Sequence, residues 1–81
     1  MSNNNFTVYS REGCPYCTKV VQVLKLAGLN HVVYKLGEHF ERDAFYGQFG
    51  EGSTFPQVVI DGTNIGGCTE TVHFLKEKQL V

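Results

Sequence analysis

Two cysteines separated by two residues, Cys14-Pro15-Tyr16-Cys17, stand where a strand-like run gives way to a helical pattern. Phe6-Thr7-Val8-Tyr9 alternates and is rich in β-branched and aromatic residues, which suits a short strand. Ser10 to Gly13 reads as a polar loop. Pro15 fits the first position of a helix, where its missing N–H costs nothing. Val20, Val23, Leu24 and Ala27 then recur at helical spacing, with Gly28 as the C-cap. The valines weaken the helix's own propensity, so packing has to hold it.

The remaining chain continues this alternation. His31 to Leu36 reads as a second strand and Glu38 to Phe49 as a second helix, with Phe40, Ala44, Phe45 and Phe49 available for one face. Gln57-Val58-Val59-Ile60 is a third strand, Asp61-Gly62 a hairpin turn and Asn64-Ile65 a short fourth strand. Thr69 is a plausible N-cap for a last helix carrying Val72, Phe74, Leu75 and Leu80. Tyr34, Phe40, Phe45, Phe49 and Phe74 are core candidates. The order β-α-β-α-β-β-α predicts a layered α/β domain, with a right-handed first crossover. Its final hairpin predicts a four-stranded mixed sheet flanked by three helices.

The chain has 81 residues, enough for one domain burying roughly 60% of its unfolded surface. Met1 to Asn5 reads as a flexible polar tail with no apolar signal region behind it. No run approaches the roughly 18 apolar residues of a membrane span. The net charge is −1 and the seven Lys and Arg are scattered, which argues against nucleic acid as a partner. Three cysteines are an odd number for a disulfide-stapled secreted domain. A soluble, monomeric, cytoplasmic protein is expected, and in a reducing compartment a close pair is redox-active or metal-binding.

Both chemistries are open to the pair. As a redox centre, Cys14 lies at a helix start, where free N–H groups and the helix dipole favour the nucleophilic thiolate. Cys17, deeper in the helix, suits the resolving role that releases a mixed disulfide. Arg11 adds positive charge if it folds back, and Pro15 and Tyr16 stiffen and shield the pair. As a metal site, Cys14, Cys17 and Cys68 offer three thiolates, with His31, His39 or His73 as a fourth ligand. No second C-x-x-C is present, and the histidines read as surface or strand-end residues. Gly66-Gly67 is not a dinucleotide fingerprint, so electrons from a nicotinamide must arrive through another molecule.

Three separated motifs, Cys14-Pro15-Tyr16-Cys17, Thr54-Phe55-Pro56 and Gly66-Gly67-Cys68, resemble the glutaredoxin family. The resemblance runs from about Phe6 to Lys78. It implies a thioredoxin-like fold and glutathione-dependent reduction of protein disulfides and glutathionylated proteins, with Cys14 and Cys17 catalytic. Glutathione is implied as a co-substrate, with no tightly bound cofactor. By resemblance Pro56 is cis and faces the cysteines. Phe55 pairs its backbone with the cysteinyl part of glutathione, and Cys68 and Thr69 hold the γ-glutamyl carboxylate. Glu70 attracts the γ-glutamyl amine. Arg11, with Arg42 behind it, meets the glycyl carboxylate. Tyr16, Thr54 and Gly67 complete the implied groove.

The chain departs from the family's commonest pattern in three places. Arg11 stands for Lys, Phe55 for Val, and Thr69 for Asp or Ser. Cluster-carrying members mostly have a single active-site cysteine, which sets an iron–sulfur role behind the dithiol one. The W-C-G-P-C of thioredoxins is absent, as is any Trp. Ribonucleotide reductase is an electron acceptor by resemblance only.

Overall fold

β1 (Phe6–Ser10) alternates buried and half-buried positions along its length. Phe6, Val8 and Ser10 point to one face and Thr7 and Tyr9 to the other, as the period of a strand requires. The computed structural model describes residues 5–79; the expected positions of residues 1–4 and of Leu80 lie outside them. α1 (Pro15–Leu26) returns the chain to β2 (His31–Lys35), which lies parallel to β1. α2 (Arg42–Phe49) leads to β3 (Gln57–Ile60), antiparallel to β1 on its other edge. β4 (Thr63–Gly66) pairs antiparallel with β3, and α3 (Cys68–Glu77) ends the described chain. The sheet order is β2-β1-β3-β4. This is the thioredoxin-like arrangement that the motif order implies.

Two cores lie on the two faces of this sheet. On one face Phe6, Val8, Val58 and Ile60 pack against Val20 and Leu24 of α1 and Cys68 and Leu75 of α3. On the other, the Tyr9 ring meets those of Tyr34, Phe40 and Phe49 at centroid separations of 5.6, 5.3 and 5.0 Å. The packing that α1 needs is therefore present: its buried residues are Cys17, Val20 and Leu24. The hairpin turn has Asp61 at φ 50° and Gly62 at φ 80°, the paired positive values of a type I′ turn.

Three expectations are corrected. α2 begins at Arg42 rather than Glu38. Leu36 bridges Phe40, the Gly37 N–H donates to the Phe40 carbonyl at 2.7 Å, and the Lys35 N–H donates to His39 Nδ1 at 2.9 Å. That closed turn uses backbone groups a helix would need, and it leaves Ala44 exposed. Tyr34 is 38% exposed rather than core, because β2 is an edge strand. Thr69 is not the N-cap of α3: Gly67 is, and Thr69 is an exposed residue of the first turn. Smaller differences are at ends: α1 stops at Leu26 with Ala27 as its cap, and Gly28 follows at φ 71°.

Leu24 is fully buried and Leu26 is 86% exposed on the same helix. Leu24→Ala is expected to cost about 2–5 kcal/mol in a denaturant titration, and Leu26→Ala no more than about 0.5 kcal/mol.

Candidate redox site

Cys14 is the N-cap of α1, with φ −111° and ψ 102°, and its Sγ accepts a hydrogen bond from the Cys17 N–H at 3.2 Å. An N-cap normally offers an oxygen to the first-turn amides; here the cysteine sulfur takes that place. Pro15 at N1 removes one competing donor, and the Thr18 N–H to Cys14 carbonyl bond of 3.2 Å starts the helix. No carboxylate sits in the first turn. The two Cα atoms are 5.2 Å apart and the sulfurs are joined as a disulfide. Both cysteines are buried, and the expected order of exposure holds, at 6% for Cys14 and 3% for Cys17. The amide that donates to this sulfur is equally placed to hold it as a thiolate once the pair is reduced.

Beside the pair runs a shallow groove of about 170 Å³, lined by Tyr16, Thr54, Phe55, Pro56, Gly67, Cys68, Thr69 and Glu70. Three stretches far apart in the chain meet there, and the Phe55–Pro56 bond is cis. Gly66 has φ 126°, and a Cβ there would stand 3.0 Å from Cβ and Cγ of Glu70. A Cβ on Gly67 would stand 3.4 Å from the Pro56 carbonyl oxygen. The Gly-Gly pair thus lets the start of α3 close onto the cis-proline segment. Glu70 Oε1 accepts from the Gly67 N–H at 3.0 Å, which accounts for the capping role expected of Thr69. The N–H groups that open α3 face no intrahelical acceptor and suit an anion.

Phe55 has supports that its motif does not reveal. Its ring stacks on Phe45 at 4.1 Å and 11°, and on Phe40 at 6.3 Å and 21°. The Arg11 guanidinium lies 6.0 Å from the Phe55 ring centroid and donates to the Glu12 carbonyl at 3.0 Å. Arg11 thus reaches the edge of the groove, whereas Arg42 is exposed at the start of α2 and is not among the groove's lining residues. Nothing in the spacing of Phe40 and Phe45 marks them as props for Phe55; only the fold of residues 36–49 brings them there.

Cys68 is a buried free thiol at the start of α3. Burial pushes its pKa up, the Lys19 ammonium pulls it back in part, and the Glu70 carboxylate pushes it up further. His31, His39 and His73 engage the Leu29 carbonyl, the Lys35 N–H and the Glu77 carboxylate respectively. Among the described residues, no three His, Cys, Asp or Glu side chains converge as metal ligands.

Comparison with known proteins agrees with this geometry. The family model described as Glutaredoxin matches residues 6–65. A glutaredoxin of Vernicia fordii is 33% identical over 84 residues, covering 100% of this chain and 81% of the relative. Human mitochondrial glutaredoxin-2 is 34% identical over 86 residues, and the chain spans only 51% of its length. Among solved structures, a buckwheat glutaredoxin–glutathione complex superposes with a TM-score of 0.73 at 28% identity, covering 95% of this chain and 73% of that one. Glutaredoxin 1 of Francisella tularensis gives 0.77 at 28% identity, covering 95% and 96%.

With Cys14 and Cys17 joined, Cys68 is the one free thiol among the three cysteines. Its neutral form is favoured in the fold, so above the ordinary thiol pKa of about 8.5 the folded chain holds a proton the unfolded chain has lost. Stability from this group is present below that pH and declines as pH rises towards the folded value. Iodoacetamide alkylation of the oxidised protein is expected to show a higher pH midpoint in buffer than in urea.

Proposed function

The chain belongs to the glutaredoxin family of glutathione-dependent thiol oxidoreductases, and we propose that it reduces protein disulfides and glutathione mixed disulfides through Cys14 and Cys17. The observation that carries this reading is the Cys17 N–H directed at Cys14 Sγ, at the start of a helix and beside the groove formed by the cis-proline segment and the first turn of α3. Cys14 thiolate attacks the glutathione sulfur of a protein mixed disulfide. A Cys14–glutathione disulfide forms, and the protein leaves as a thiolate that takes a proton from water. A second glutathione thiolate then attacks, frees Cys14 and departs as glutathione disulfide. With a protein disulfide, Cys14 first binds the protein and Cys17 displaces it, leaving the Cys14–Cys17 disulfide for two glutathiones to reduce.

In this reading the cysteinyl backbone of glutathione pairs with Phe55. Its γ-glutamyl carboxylate meets the N–H groups of Cys68 and Thr69. Its glycyl carboxylate meets Arg11, whose guanidinium also suits a bidentate contact. Glu70 already caps Gly67, so its pull on the γ-glutamyl amine is a secondary duty. Phe55 is the platform over which Arg11 lies, and Phe45 holds that platform. A free Cys68 beside a catalytic pair suits a reducing compartment, and the cytoplasm is the one we assign. Relatives from human and Arabidopsis carry mitochondrial and chloroplastic names.

Glutathione-coupled turnover of a small mixed disulfide is the direct test. Cys14→Ser is expected to lose all activity, and retained turnover in it ends this reading. Cys17→Ser is expected to lose reduction of protein disulfides while still removing glutathione from proteins. Phe55→Val removes a cation–π contact of about 0.5–1 kcal/mol, so KM for the glutathione mixed disulfide should rise about two- to fivefold with kcat little changed.

A further inference from the structure

A second groove, of about 770 Å³, is lined by Cys14 and Cys17 and shares no residue with the first. In the order β2-β1-β3-β4 it lies on the β2 side of β1, where Val33 and Lys35 reach it, while the first groove lies on the side of β3 and α3. Arg11, Lys25 and Lys35 line it, against the single carboxylate of Glu12. Glu12 pairs with Lys35 at 3.8 Å, but both side chains are open to water, so the pair is weak and exchangeable. The chain as a whole carries −1, so this cationic lining runs against the overall sign. Val21 and Val33 add apolar surface between the charges.

We propose that this groove holds the protein part of a glutathionylated substrate, and that it selects acidic segments around the modified cysteine. The inference rests on the thiol-exchange reading above and deepens it. A mixed disulfide has two ends. When its glutathione fills the small groove beside Pro56, the protein sulfur leaves from the other side of Cys14. The atoms balance as before: the Cys14–glutathione bond forms, the protein–glutathione bond breaks, and the protein departs as a thiolate. The chain flanking that sulfur then runs over Lys25 and Lys35. Carboxylates there replace the exchangeable Glu12 contact and gain the field of Lys25 and Lys35, while Arg11 is engaged by glutathione.

The test uses three glutathionylated peptides of equal length, flanked by Asp, by Ser or by Lys, with the glutathione mixed disulfide of mercaptoethanol as a small reference. The wild-type protein is expected to turn over the Asp peptide fastest and the Lys peptide slowest, with a gap that closes as salt is raised. The double variant Lys25→Glu, Lys35→Glu is expected to lower kcat/KM for the Asp peptide about tenfold and to leave the small reference within about twofold. The neutral pair Lys25→Gln, Lys35→Gln should fall between. No turnover of the small reference by the wild type overturns the underlying thiol-exchange reading instead. Normal turnover of the reference with no discrimination among the peptides, or a preference for Lys, overturns the docking proposal alone. So does a wild-type dimer in sedimentation that the double variant dissociates, because a second copy then occupies the groove.

Discussion

β1 is hydrogen-bonded along both edges and packed on both faces, and the site takes its position from that double constraint. Phe6 and Val8 anchor the strand in the aliphatic core, and Tyr9 anchors it in the aromatic one. Its last residue, Ser10, is buried and donates its hydroxyl to the Tyr34 carbonyl at 3.1 Å. The chain therefore leaves the sheet at a held point, and four residues later Cys14 caps α1. A loop so short transmits the strand's placement to the sulfur. α1 is in turn held by Val20 and Leu24 against the sheet, which compensates for its β-branched content.

The cysteine pair stands between two surfaces of different chemistry. Towards β3 and α3 the groove is small and bounded by the cis-proline segment and the first turn of α3. Towards β2 it is larger and cationic. A mixed disulfide is itself asymmetric, with glutathione on one sulfur and a protein on the other. A site flanked by two unlike grooves can orient such a substrate and so decide which sulfur Cys14 attacks. Cys68, by contrast, is spent on packing: burial and the Glu70 carboxylate both keep it a neutral thiol.

Phe55 shows how the second core reaches the chemistry. Phe40, Phe45 and Phe55 form a cluster of near-parallel rings in mutual contact, and Arg11 lies over its Phe55 member. The turn over residues 37–41 and the short α2 place Phe40 and Phe45 in that cluster, and they replace the longer helix that the apolar pattern from Glu38 predicts. A helix starting at Glu38 needs the Phe40 carbonyl as the acceptor for the Ala44 N–H, and that carbonyl takes the Gly37 N–H instead. The local closure wins because it satisfies those groups within five residues and turns Phe40 onto Tyr9.

Much of the fold was legible in the residues themselves. The strand-then-helix junction at Cys14, the proline at N1, the Asp61-Gly62 turn and the alternation of β1 and β3 are local signals, and local sterics and burial act on them directly. The spacing of Cys14 and Cys17 at a helix start brings the two sulfurs within reach of each other, because three residues of helix span about one turn, and the three-motif resemblance selects dithiol over metal chemistry. Tertiary structure alone decided what lies beside that pair. Thr54 to Pro56 and Gly67 to Glu70 are remote in sequence, and they form one groove only when β3 pairs with β1 and α3 packs on α1. Arg11 over Phe55, Glu70 rather than Thr69 serving the cap of α3, and the gathering of Lys25 and Lys35 beside the disulfide have the same origin. Isolated charges and rings carry no period in a sequence, and only packing gives them neighbours.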